Sequence, residues 1–147
     1  MDRILSDGTD ESGLGGTLTG NALAVAAMRA ALQKVITKQS FRKMMPLAER
    51  FEKGVADVIS EYDLPWHVVR LGVRIEYHFT ATPPRDGGEY EATKDHEMEK
   101  YMHLAALNRG ILLTPFHNMA LISPVTTTGD VDRHTHVFRE CAEALVG

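Results

Sequence analysis

The sequence predicts an α+β domain: helices packed on a small, mostly antiparallel sheet and preceded by a long helix. Three observations carry this reading. The order of periodicities is loop, helix, helix, strands, helix, strands, helix, which fits helices layered on a sheet. Val73-Arg74-Ile75-Glu76-Tyr77-His78-Phe79 alternates cleanly between apolar and polar, as a half-buried strand does. The chain has 147 residues, 44% hydrophobic and 24% charged, enough to bury a core within one domain.

In chain order, residues 1–14 are poor in apolar side chains and read as a linker. Such an opening suits the later part of a longer architecture. Residues 15–38 combine a loop with a helix, and 39–147 form the domain proper. Ala22 to Met28 has no polar residue on any face, so the first two turns of its helix should lie wedged between other elements. Ser40 is a candidate N-cap for the next helix. Met44, Ala48, Phe51, Val55, Val58 or Ile59, and Tyr62 form its apolar stripe, running to about Glu61, with Pro46 tolerable near its first turn.

Trp66–Leu71 and Val73–Phe79 read as strands, and Gly72 as a bulge or bend within one long strand. Residues 82–88 are a loop marked by Pro and Gly. A helix over about 94–108 carries Met98, Tyr101, Met102 and Ala105, with Gly110 as its left-handed C-cap. Ile111–Leu113 and Met119–Ile122 look like short buried strands. Thr127 or Thr128 caps the last helix, which buries Val131, Phe138, Ala142 and Leu145.

Composition excludes several classes. A net charge of −4 argues against a general nucleic-acid or anionic-membrane binder. No apolar run approaches the roughly 20 residues of a membrane span. The first residues lack the apolar core of a signal peptide, and one cysteine, Cys141, rules out an internal disulfide and fits the cytoplasm.

The stretch most suggestive of chemistry is Gly15-Gly16-Thr17-Leu18-Thr19-Gly20-Asn21, a small-residue loop feeding a helix N-terminus. Orphan N–H groups and the helix dipole make such a place friendly to phosphate or carboxylate, but a plain helix-opening turn looks the same. It is not a P-loop, because Asn21-Ala22 stands where Lys and Ser or Thr would be required. Seven histidines suggest metal, yet His134 and His136 face opposite ways on a helix and His96 and His103 lie two turns apart. They read as solvated or core residues, and no metal is expected. His117 lies in a loop between apolar strands, where functional residues gather. Arg70, Arg74 and Arg85 could each clamp a carboxylate or pair with an acidic neighbour such as Glu76. No residue stands out as catalytic.

Taken together, these motifs resemble a family. Gly16-Thr17-Leu18-Thr19-Gly20-Asn21 with Leu23-Ala24-Val25-Ala26-Ala27 looks like the Gly-Thr-x-x-Gly-Asn-Pro-Leu-Ala stretch of class III aminotransferases. Asn108-Arg109-Gly110-Ile111-Leu112-Leu113-Thr114-Pro115 and Thr127-Thr128-Gly129-Asp130-Val131-Asp132 are similar to that family's helix-Gly-strand-Pro segment and to the opening of its last helix. These are pyridoxal-phosphate enzymes of α/β fold type I, and the group includes glutamate-1-semialdehyde aminomutase.

The resemblance implies a C-terminal portion: the cofactor-phosphate loop, an interdomain helix and the small domain. It assigns the phosphate of pyridoxal 5'-phosphate to Gly16 and Thr17, in a site shared across a homodimer. It places Phe116, His117 and Asn118 beside a small amino-acid or amino-aldehyde substrate. The partner is the large domain, whose lysine carries the cofactor in this family; no lysine here matches that motif, so the chain alone should be inactive. Three departures from the family pattern stand out. Ala22 replaces a proline, residues 116–119 lack the aminomutase's glutamate, and Ile122 stands where ω-amino-acid aminotransferases carry an arginine. The residues by themselves also fit a stand-alone α+β module that binds a phosphorylated ligand without catalysis.

Overall fold

The structure, a computed structural model, describes residues 20–114 and 117–147. Lys38–Gly147 forms one compact unit, and the described residues 20–37 belong to another. In the latter, helix α1 (Ala22–Lys34) begins at Asn21, whose side-chain oxygen accepts the Ala24 N–H at 3.1 Å. Within this chain the expected enclosure of its first turns is not found: α1 buries no residue, and Leu23, Val25 and Met28 are exposed.

The second unit starts with α2 (Lys38–Glu61), which buries Met44, Ala48, Phe51, Val55 and Val58 along one stripe. The helix starts three residues earlier than a Ser40 cap would set it, so Ser40 lies inside it rather than capping it. Pro46 therefore falls in the third turn, not the first, and leaves the Arg42 carbonyl without its helical N–H donor.

Strands β1 (His67–Leu71) and β2 (Arg74–His78) make a hairpin rather than one bent strand. Leu71 pairs with Arg74, so Gly72 and Val73 form a two-residue turn, and Gly72 supplies the positive φ (62°) that its first position demands. Strand β3 (Met119–Leu121) adds antiparallel to β2, giving the order β1-β2-β3. A short helix, α3 (Gly87–Ala92), occupies the end of the expected loop, because Asp86 accepts the Glu89 N–H and caps it.

Next comes α4 (His96–Asn108), capped by Asp95, and Gly110 follows at φ 79° as the helix-stop pattern requires. Ile111–Leu113 is not a strand: the sheet ends at β3, so this segment has no ladder and runs as irregular backbone. The last helix, α5 (Thr128–Val146), opens on a capping box in which Thr127 and Asp130 satisfy each other's backbone N–H groups.

Alternation gives the sheet two faces. Val68, Ile75, Tyr77 and Ala120 turn inward against α2 and α5, and join Phe51, Trp66, Phe138 and Cys141 in the core. Fully burying side chains such as Ile75, Met102 or Val55 stabilises the fold by about 1.5–3 kcal/mol each. The opposite face carries His67, Val69, Arg74, Glu76, His78 and Met119, and the fold brings its polar members together.

Candidate functional site

On that outer face the register sets His67 across from His78, and Val69 and Met119 on either side of Glu76. Half-buried strands leave such a face to solvent, yet Glu76 is only 7% exposed. A carboxylate taken from water needs compensation, and two side chains supply it. Arg74 donates through Nη2 to Oε2 at 2.7 Å, and His117 lies with Nδ1 2.9 Å from Oε1. The Tyr90 hydroxyl of α3 stands 3.4 Å from the same imidazole nitrogen.

The two strand histidines stack with ring centroids 4.8 Å apart, and His78 meets Tyr90 edge-on at 5.5 Å. Burial lowers the His78 pKa below its usual value, a shift that the nearby Glu76 opposes. His67 holds its Nδ1 against the Thr80 carbonyl. Burial and the Glu76 charge both raise the Tyr90 hydroxyl, while the Lys94 ammonium, 5.2 Å over its ring, lowers it. These side chains line a cavity of ≈ 380 Å³ whose other walls include Pro83, Pro84 and Arg85.

The site residues expected from sequence fare differently. Gly16, Thr17 and Phe116 lie outside the described residues. His117 reaches the Glu76 cluster, and Asn118 is buried next to it, its backbone carbonyl accepting the Tyr77 N–H at 3.3 Å. All three arginines have acidic partners: Arg70 with Glu52, Arg74 with Glu76, and Arg85 with Glu89.

Sequence reasoning missed Glu76 and Tyr90 as parts of a site. The signal for Glu76 was the charge in the middle of a strand whose two neighbours are core residues. Tyr90 carried none, since residues 89–93 were assigned no element between the loop and the next helix. A second cavity, also ≈ 380 Å³, is walled by Phe51, Leu113, Ala120, Ile122 and Val131; its one histidine, His134, has its Nδ1 buried without a partner among the described residues. Among the described residues no group of three or more His, Cys, Asp or Glu is gathered to hold a metal, and no helix is long and apolar enough to cross a membrane.

With respect to a cofactor phosphate, the described edge of the small-residue loop is the start of α1. Its first turn carries no acidic side chain, and the Asn21 amide that caps it is neutral, so no charge there offsets the positive end of the helix dipole. That end fits an anionic group.

Known proteins place this architecture. No protein-family model matches the chain. A glutamate-1-semialdehyde aminomutase from Pseudomonas aeruginosa, solved in complex with PMP, superposes with a TM-score of 0.85 and 49% identity, over 89% of this chain and 29% of that one. An ω-transaminase from Sphaerobacter thermophilus shares the fold at a TM-score of 0.77 and 23% identity, over 90% of this chain and 30% of its own. The fold is thus part of the aminotransferase fold.

Among curated sequences, glutamate-1-semialdehyde 2,1-aminomutase of Anaeromyxobacter dehalogenans is 31% identical over 90% of this chain and 30% of its own length. The enzyme of that name from Thermus thermophilus is 30% identical over 85% and 30%. These relatives are aminomutases and pyridoxal-phosphate transaminases, and the share of them that this chain matches is consistent with a C-terminal portion of such an enzyme. The chain spans about 30% of the length of the relatives it matches.

Proposed function

We propose that the chain supplies the phosphate-anchoring loop and substrate-covering small domain of a pyridoxal-phosphate-dependent aminotransferase or aminomutase, acting in the cytoplasm on an amino acid or amino-aldehyde. The observation that carries this reading is the 49% identity, over 89% of the chain, to the aminomutase solved with PMP. In this reading Gly16, through its backbone, and Thr17, through its hydroxyl, hold the cofactor phosphate beside the N-terminus of α1. Bound there, the cofactor supplies the electron sink for chemistry at the amino-bearing carbon. The large domain of the same enzyme completes the site, in a homodimer whose active sites are shared. The exposed apolar side chains of α1, Leu23, Val25 and Met28, suit an interdomain helix covered by such partners.

By the same resemblance, Phe116, His117 and Asn118 are assigned to the substrate. Glu76 and Arg74 form a neutralised pair, so this part of the wall offers hydrogen bonds rather than net charge. The reading is tested with a chimera in which this chain replaces the corresponding segment of the Pseudomonas aeruginosa enzyme. The expected result is a folded chimera that binds pyridoxal phosphate and transfers or migrates an amino group. A folded chimera without cofactor binding favours the alternative, a stand-alone binding module.

A further inference from the structure

Thr114 and His117 stand three apart in sequence, and a side-chain hydrogen bond ties one to the other. The Thr114 hydroxyl donates to the His117 carbonyl at 2.6 Å. The Met119 carbonyl lies 3.4 Å from the same hydroxyl oxygen, so the single proton goes to the nearer acceptor. The His117 carbonyl belongs to the planar peptide unit that joins His117 to Asn118, and a hydrogen bond to it sets the tilt of that plane. The next carbonyl is held as well. Asn118 accepts the Tyr77 N–H at 3.3 Å, which carries the pairing of β2 with β3 one residue further. Of two successive carbonyls, the sheet holds the second and a side chain holds the first. Thr114 is half-buried at the end of the irregular segment after α4, and its β-branch restricts χ1, so the hydroxyl is kept on its acceptor.

We propose that Thr114 is a positioning residue for His117 and Asn118: through the His117 carbonyl it orients the peptide plane between them, and with it the directions of both side chains. This rests on the reading that these two residues meet the substrate. Thr114 acts through them and touches no substrate itself. A short hydroxyl side chain bonded to nearby backbone is a local device that needs no ladder, which suits a stretch where the sheet has ended. Without it the plane must be ordered when substrate binds, and that cost falls on binding in the ground and transition states alike.

The contact is read in the isotope-labelled chain from the carbonyl carbon-13 resonance of His117. Thr114→Val keeps the shape without the donor and should move that resonance upfield; Thr114→Ser keeps the donor and should leave it near the wild-type position. An unmoved resonance in the Val variant overturns the proposal. A wild-type Thr114 hydroxyl proton that exchanges as fast as that of an exposed threonine also overturns it, so the test survives a Val variant that fails to fold.

In the chimera, Thr114→Val should raise KM for the amino substrate about two- to tenfold, the scale of one lost neutral hydrogen bond, with kcat and pyridoxal phosphate affinity changed less. Thr114→Ser should restore KM. A purely structural role would lower the urea midpoint and leave KM alone. A folded Val chimera with wild-type KM, or a Ser chimera as impaired as the Val one, overturns the positioning role. The carbonyl resonance needs neither cofactor nor substrate, so a chimera without amino transfer counts against the functional reading, while the contact itself stands or falls on the chain alone.

Discussion

His134 gives the most quantitative prediction. It sits on α5 at 5% exposure, stacked on Phe51 at 4.0 Å, with the Tyr77 and Phe138 rings near it and its Nδ1 without a partner among the described residues. Burial alone pushes its pKa down from 6.5 to about 3. A group whose folded pKa is depressed binds its proton more readily when unfolded. Its contribution is therefore intact above pH 6.5 and is lost as pH falls from 6.5 toward 3. The slope approaches 1.4 kcal/mol per pH unit, so at about pH 4.5 the chain should have lost about 3 kcal/mol through this residue.

The assay is urea unfolding at a series of pH values, wild type against His134→Leu. Leu removes the titrating ring while keeping an apolar group of similar size. Carboxylates such as Asp130, held low by its hydrogen bonds to Thr127, also titrate on the acid side. They do so in both proteins, so the difference isolates His134. Wild type should fall more steeply than the variant by about 3 kcal/mol between pH 7.5 and 4.5. Parallel pH profiles would refute the assignment of His134 as a buried neutral histidine.

Two further expectations concern the packing of the helices. A Cβ added at Gly54 of α2 would overlap Thr135 Oγ1 and stand 2.9 Å from its Cγ2, and a β-branched side chain has little freedom to withdraw. Gly54→Ala should destabilise the fold by about 1–3 kcal/mol despite the gain in helix propensity, and a Thr135→Ala background should recover most of the loss in a double-mutant cycle. Thr127→Ala breaks the capping box of α5 and should cost about 0.5–2 kcal/mol, read as a lower midpoint at unchanged m-value.

Legibility differed by level. The helices were readable because their apolar residues recur on one face: Met44, Ala48, Phe51, Val55 and Val58 stand in α2 as the spacing requires. The cap of the last helix was also readable, at Thr127. What failed depended on partners that sequence does not display. Whether Gly72 bends a strand or turns a hairpin is decided by which residues pair, and Leu71 pairs with Arg74. Whether Ile111–Leu113 is a strand is decided by a ladder that ends at β3. Ser40 looked like a cap, but the helix begins at Lys38.

The site was half legible. His117 was picked out by its loop position. Glu76 had been weighed only as a neutralising neighbour for an arginine. That pairing is present in the structure, but the same carboxylate also binds a histidine 41 residues away. Alternation placed Glu76 outward; only the folded packing of α3 and the 117–118 loop over that face makes outward a buried place.

The central claim is that Thr17 anchors a cofactor phosphate, and the most direct measurement compares two ligands that differ only in that group. In the chimera carrying this chain, dissociation constants for pyridoxal phosphate and for pyridoxal are measured with Thr17 and with Thr17→Ala. Loss of a hydrogen bond to a charged oxygen, about 1.5–3 kcal/mol, should weaken pyridoxal phosphate roughly 10- to 150-fold and leave pyridoxal unchanged. Equal affinities for pyridoxal phosphate with and without the Thr17 hydroxyl would contradict the account.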